Sequence, residues 1–402
     1  MKWFGTKGAR DGARPALSRA LTTWGGPWSG GATGQWPSGY EAQVRAGMMA
    51  NPVAQRAVRL VSEGVGGAAL TARGGHPADQ AEMLRLVQAR SGGQALVEAL
   101  AMHVLLHGNG YVQILPRADG TPGELYALRP ERVSVEADAY GWPVAYRYRV
   151  GGLEARLSSE DAAGRVAIIH LKAVHPLDDH YGLGCAGAAA GAVAIHNAAT
   201  EWNKALLDNA ARPSGALVHE PGQEGGALSP AQFERLKAEL EAAFQGAGNA
   251  GRPMLLEGGL KWQALSLTPA DMDFVGLKAA AAREIALAFG VPPMLMGLPG
   301  DNAYANYREA NRALWRQTIL PLAEKILGGI AQGLSPWLPG VRLMIDPELV
   351  PALSDERSAL WERVAKADFL KVDEKRAMLG LGPVRRPGAE AGAEAGADWP
   401  GG

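Results

Sequence analysis

Cysteine is nearly absent: Cys185 stands alone among 402 residues. No disulfide can therefore form within the chain, which excludes a small secreted fold stapled by bridges. Long hydrophobic runs are missing too. The longest uncharged stretch near the middle, Gly182 to Ile195, is dominated by alanine and glycine and is too short to span a bilayer. Met1 to Gly30 holds basic residues without a continuous apolar segment, so no secretory signal is expected there. Charge of one sign is also lacking, with Lys+Arg 40 against Asp+Glu 41 and a formal net charge of -1. A protein that grips DNA phosphates usually carries a strong basic excess, because affinity comes largely from counterion release. Near-neutrality argues against such a grip, and it is equally the ordinary state of a cytoplasmic protein. No G-x-x-x-x-G-K-[ST] occurs, which excludes a P-loop motor, and there is no internal repeat. A soluble chain in the cytoplasm, with no membrane partner, is the expectation.

What is present suffices for a large core, since 47% of the residues are hydrophobic, and the length allows more than one core-bearing unit. Residues 1 to 45, rich in Gly, Pro, Trp and Ser, read as an extended arm. Helical spacing covers 53–65, 81–89 and 94–107, the last closed by Gly108-Asn109-Gly110. The period then changes to two. Strands are expected at 111–115, 133–136, 145–150 and 166–171, with a turn at 119–123. A long Ala-rich helix follows Gly184 to Ala211 and breaks at Pro213-Ser214-Gly215. Next comes a compact insert: a strand at 215–218, a helix capped by Ser229-Pro230 with an apolar stripe of Phe233, Leu236, Leu240 and Phe244, and a hairpin pairing Met254–Leu256 with Leu260–Leu265. A second Ala-rich helix runs from Asp271 to Phe289. A third, from Ala303 to Gly328, should kink at Pro321. A strand at 341–345, a mostly helical 354–379 and a low-complexity, disordered tail complete the chain.

The residues that could carry chemistry each have a plainer reading. Gly182-Leu183-Gly184-Cys185-Ala186-Gly187 matches G-x-G-x-x-G and opens a helix, but His175 to His180 separates it from the preceding strand, unlike a dinucleotide site. His103 and His107 have the spacing of helical metal ligands without a third ligand nearby. His170, His175 and His180 with Asp178 and Asp179 lack strict spacing. Cys185 has no partnered base. Tyr146-Arg147-Tyr148-Arg149 interleaves aromatics with cations, as some single-strand binders do, yet strand geometry puts the two types on opposite faces. No cofactor, metal site or catalytic residue is expected, and the chain does not read as an enzyme. A nucleotide-using enzyme and a generic scaffold or adaptor stand as the alternatives.

Six blocks in order resemble the portal proteins of long-tailed double-stranded-DNA phages, over Pro52 to Pro383. They are Gly108-Asn109-Gly110-Tyr111-Val112 with Leu125 to Val133; Ile169-His170-Leu171-Lys172 with Tyr181 to Gly184; and Asp208 to Gly215, where the usual phenylalanine and glycine are missing. Then come Asp271-Met272-Asp273-Phe274 through Arg283-Glu284-Ile285-Ala286 to Phe289-Gly290-Val291-Pro292-Pro293-Met294-Leu295-Met296-Gly297; Tyr304 to Asn306 with Thr318 to Pro321; and Val372 to Arg376 with Gly380 to Pro383, where Asp replaces the common Asn. The compact, Ala/Gly-rich style is similar to portals of alphaproteobacterial gene transfer agents.

The resemblance implies an α+β portal fold: an arm at 1–45, an α/β wing at 46–183, stem helices at 184–211 and 270–291 around a clip at 212–269, a tunnel loop at 292–304, a long kinked helix and wing return at 305–349, a helical crown at 350–382 and a disordered tail at 383–402. It implies a ring, commonly of twelve subunits, at one capsid vertex of a virion or phage-like particle assembled in the bacterial cytoplasm. Through that ring double-stranded DNA would be packaged and ejected. The implied partners are the major capsid protein, the large terminase and a head-tail adaptor. Met294, Leu295, Met296 and Pro299 would form a mostly apolar constriction, with Asp301 and Asn302 adding limited polarity. Lys278, Arg283 and Glu284 are the charged stem residues, and pairing within the helix or between subunits is favoured for the two cations over contact with phosphates.

Overall fold

The structure, a computed structural model, describes residues 17, 39–208, 215–219, 229–244, 260–264, 273–298, 304–382 and 384. The chain turns helical at Tyr40–Val44 (α1), passes through a π-helical turn at Arg45–Met49 and restarts as Pro52–Gly66 (α2). The expected extended arm is thus corrected at its end: residues 40–49 are helical, held by packing of the π turn against α2. Asn51 starts α2, its Oδ1 accepting from Val53 N–H and Ala54 N–H, both at 3.0 Å. Pro52 follows where a missing donor costs nothing. Strand Leu70–Arg73 (β1), helix Pro77–Gln88 (α3) and a minimal hairpin of Arg90–Ser91 (β2) and Gln94–Ala95 (β3) lead into Leu96–His107 (α4). The helix expected from residue 94 begins two residues later, because Gln94 and Ala95 pair back onto β2.

Two antiparallel sheets follow. Asn109–Pro116 (β4) lies between Pro122–Leu128 (β5) and Ile168–Lys172 (β9), while Val133–Ala137 (β6), Pro143–Val150 (β7) and Leu153–Ser158 (β8) form a meander. Strand β8 escaped the sequence reading although Leu153-Glu154-Ala155-Arg156-Leu157-Ser158 alternates apolar with polar; in the structure all of it but Leu157 is exposed. Strand β5 begins inside the segment read as a turn. On β7 the pleat acts as expected. Tyr146 is buried, and Tyr148 packs against the core of Tyr111, Leu128, Val133 and Ile168. Arg147 and Arg149 point outward to Glu136 and Glu154. The aromatic–cation run is an ordinary half-buried strand.

Cys185–Asp208 (α5) is followed by Gly215–His219 (β10), Pro230–Phe244 (α6), Leu260–Ala264 (β11) and Phe274–Ala288 (α7). Ser229 and Gln232 cap α6 reciprocally, Ser229 N–H giving to Gln232 Oε1 at 2.9 Å. Of the expected stripe on α6, Phe233 is exposed and Leu236 half-buried. Strand β11 pairs with β10, while its expected partner, Met254–Leu256, lies outside the described residues. Tyr304–Leu314 (α8), a π-helical turn at Trp315–Ile319 and Leu320–Leu334 (α9) make up the third long helix. The kink expected at Pro321 takes the form of this widened turn. Pro321 lacks an N–H and its ring crowds the preceding turn, so the ladder loosens upstream and the proline falls in the first turn of α9. Arg342–Ile345 (β12) returns to pair antiparallel with β1.

The chain divides into two compact units, residues 1–345 and 346–402. In the second, two short 3-10 turns precede Ser354–Ala365 (α10) and Val372–Met378 (α11). The segment expected to be mostly helical is broken between these two. Arg357 pairs with Glu348, and Trp361 Nε1 donates to the same carboxylate at 3.2 Å.

Candidate channel site

The start of α5 is fixed by one buried amide. Gly108 ends α4 in the left-handed region (φ 82°), and Asn109 after it is 1% exposed. Asn109 Oδ1 accepts Gly182 N–H at 2.8 Å and His170 Nε2–H at 3.0 Å. Its Nδ2 donates to Gly182 O at 3.2 Å and faces His107 Nδ1 at 3.0 Å. An amide oxygen cannot donate and an amide nitrogen cannot accept, so His170 carries its proton on Nε2 and His107 leaves Nδ1 bare. Burial, with Lys172, His107 and His180 adding, lowers the His170 pKa to about 3, and burial lowers that of His107 to about 4. His170 stacks on Tyr111 with centroids 4.2 Å apart. Of the other histidines read as possible ligands, His180 Nε2 donates to Gly141 O at 2.6 Å and His175 Nδ1 accepts from Leu177 N–H. Among the described residues no group of three or more His, Cys, Asp or Glu is placed to hold a metal ion.

The glycines of the G-x-G-x-x-G match serve close approach. A Cβ on Gly182 would lie 2.0 Å from Gly108 O, and one on Gly184 would lie 2.1 Å from Leu106 O. The segment crosses the carbonyl end of α4, where oxygens would repel a phosphate. Cys185 is half-buried, and burial pushes its thiol pKa up, away from nucleophilic character.

From Cys185 to Thr200, α5 carries no charged residue. It lies antiparallel to α7. Trp202, near the end of α5, stacks on Phe274 at the start of α7, with centroids 4.2 Å apart and rings 9° from parallel. Ala186, Ala189, Ala190 and Val193 near the start of α5 share a small apolar pocket with Phe289, just past the end of α7. Asn51 Nδ2 donates to Asn197 Oδ1 at 2.8 Å and approaches His196 Nδ1 at 3.1 Å. Asn197 Nδ2 in turn donates to Ala46 O at 2.8 Å, so the cap of α2 anchors the middle of α5. Asp273 caps α7, its Oδ1 accepting Gly276 N–H at 3.1 Å.

The three charged residues expected on a stem helix separate. Lys278 is half-buried and, after burial itself, is the second cause of the lowered pKa of His196. Arg283 is half-buried and donates from Nη1 to Ala279 O at 3.4 Å on its own helix. Glu284 is exposed. Beyond α7, Gly290 (φ 67°) redirects the chain, and Pro293–Met296 forms a 3-10 turn closed by Gly297 (φ 70°). Met294, Leu295 and Met296 sit together on this turn, each half-buried, whereas Pro299, Asp301 and Asn302 lie outside the described residues. Thr318, within the second π turn, donates from Oγ1 to Gly290 O at 2.6 Å. That bond ties the third helix to the root of the turn.

Sequence reading assigned no role to Asn51, Asn109 or Thr318. Asn51-Pro52 does carry a cap-then-proline signal, while Asn109 and Thr318 stand in matched blocks but have partners far along the chain.

A family model described as phage portal protein matches residues 52–380. An uncharacterized protein of Rickettsia felis is 44% identical over 284 residues, 70% of this chain and 72% of that protein. Among solved structures, a chain from the neck of a native gene transfer agent (GTA) particle computed with C12 symmetry is 47% identical with a TM-score of 0.66, over 87% of this chain and 95% of that one. An HK97-family phage portal protein from Corynebacterium diphtheriae shares the fold at 18% identity, with a TM-score of 0.55 over 79% of this chain and 99% of its own. With an α+β architecture in which two antiparallel helices lead into an apolar turn, and with the match running from α2 to α11, the chain belongs to the phage portal protein family.

Proposed function

We propose that copies of this chain close into a ring, twelve in number, at one vertex of the head of a phage-like particle of the gene transfer agent kind, and that double-stranded DNA is packaged and ejected through it. The observation that carries this reading is the portal match over residues 52–380. The C12 neck in which a 47% identical chain stands supports the subunit number. On this reading α5 and α7 are the stem, and residues 215–264 belong to the clip that meets the large terminase during packaging and a head-tail adaptor afterwards. The outer surface of the ring faces the major capsid protein. Met294, Leu295 and Met296 line the constriction, with Pro299, Asp301 and Asn302 beside them. An apolar turn gives phosphates nothing to pair with, so DNA slides without tight grip. Portal proteins are structural rather than catalytic as a family, and no reaction is assigned to this chain.

Negative-stain electron microscopy of the purified protein tests the reading. Top views should show rings of twelve with an axial hole wide enough for duplex DNA. Compact closed dimers without a channel would overturn it.

A further inference from the structure

The turn between β6 and β7 is tightly built for an exposed hairpin end. Asp138 Oδ1 accepts Tyr140 N–H at 2.9 Å and Trp142 N–H at 2.8 Å. Asp138 N–H donates to Trp142 O at 2.8 Å, and Gly141 N–H to Asp138 O at 3.0 Å. His180, only 7% exposed, reaches in from the loop before α5 and donates from Nε2 to Gly141 O at 2.6 Å. The conformation of the turn is therefore set by the sheet and the loop together, before anything else touches it.

Tyr140 O takes a partner from far outside the sheet, the N–H of Leu17 at 2.9 Å. Beside it Gly141 stands in the left-handed region (φ 85°), and a Cβ there would lie 2.1 Å from Leu17 O and 3.2 Å from Leu17 Cα. The backbone of Leu17 thus rests on the bare α-carbon of Gly141, an approach that any side chain would block. Leu17 is half-buried, although the other described residues begin only at Gly39. The positive φ alone would admit asparagine; it is the contact with Leu17 that demands glycine.

We propose that the Asp138–Trp142 turn is a docking site for the chain's own N-terminal arm, held there by the main chain of Leu17, so that the arm is strapped to the β6–β7–β8 meander of the same copy. Both contacts are made by backbone, the Leu17 N–H to Tyr140 O and the Leu17 carbonyl over Gly141. The site therefore reads main chain rather than a side chain and has little selectivity of its own. The tether supplies the selectivity, because a segment of the same chain is present at high effective concentration and a free peptide is not. The inference does not depend on the ring reading.

Trypsin tests the strap on the full chain. It can cut after Lys7 and after Arg19, while Pro15 blocks the bond after Arg14. Cutting after Arg19 needs Leu17 to enter the protease cleft, so it should run about tenfold slower than cutting after Lys7, the ratio reading how seldom the anchor opens. Leu17→Pro removes the donor without touching the core, and Gly141→Asn keeps the turn but puts a Cβ against Leu17 O. Each should bring the Arg19 cut up to the Lys7 rate, with an unchanged melting curve for Leu17→Pro. Equal rates in the parent, or protection that survives Leu17→Pro, overturn the site; if Gly141→Asn melts early, Leu17→Pro alone decides. In a Cys185→Ser background, Leu17→Cys with Tyr140→Cys, bridged by a short bismaleimide, should give a single-chain product. Covalent oligomers instead would put the arm on a neighbouring copy and overturn docking within the chain.

Discussion

Asn109 concentrates more polar contacts than any single local motif would suggest. Its amide serves two histidines and both backbone groups of Gly182 while almost fully buried. Asn109→Ala leaves several of these groups without partners, each costing about 1–3 kcal/mol when buried. We expect a loss of about 3 kcal/mol or more, read by denaturant unfolding, with Asn109→Asp little better because a carboxylate cannot donate to Gly182 O or His107 Nδ1. The histidines add a pH dependence whose sign follows from their burial. His170, His107 and His103 are lowered to about 3, 4 and 4, whereas unfolded histidine titrates near about 6.5. As pH falls, the unfolded chain therefore takes up protons first. Stability is full above about 6.5 and drains away as pH falls toward 4. Melting temperatures should be level from pH 7 to 8 and fall progressively through pH 5, with a shallower fall in His170→Gln.

At the scale of elements, the join between α7, the apolar turn and the π-helical turn is the most constrained. Gly290 has φ 67°, and a Cβ there would lie 2.8 Å from Thr318 Oγ1. Gly290→Ala should destabilise by about 1–3 kcal/mol, from the left-handed strain together with the clash. Thr318→Val should cost about 1 kcal/mol for the hydroxyl bond. Because the two residues touch, the double variant should depart from additivity, and a double-mutant cycle in urea reads the coupling. These elements also show what a sequence can disclose. The long helices, most strands with clean alternation and the Ser229-Pro230 start were legible, because their signals are local. The ends were not. Ala95 joins a strand because Arg90 is opposite it, residues 40–49 are helical because other helices cover them, and Pro321 loosens the turn before it rather than bending the helix at itself.

For the whole molecule, the prediction concerns passage. If Met294–Met296 lines the channel, Met294→Lys with Met296→Lys adds two cations per subunit where phosphates go by. Packaging or ejection should slow, and the slowing should lessen as salt rises, since the added attraction is electrostatic. Equal rates for variant and parent at low salt would place the constriction elsewhere. Family and fold were legible from six ordered blocks, but the hub at Asn109 needs three dimensions, because its members come from distant segments.

The pairing of β1 with β12 has a temporal consequence. Its second strand closes the first unit, with Leu70 opposite Ile345, so the sheet cannot close until nearly all of that unit has left the ribosome. The meander β6–β7–β8 is local and can form during synthesis, whereas β1 must wait with its edge open until residues 342–345 emerge. Loop closure over such a span is slow. A ribosome halted before residue 342 would therefore carry a nascent chain with a native meander and an unclosed first unit, open to holdase chaperones until the last strand arrives.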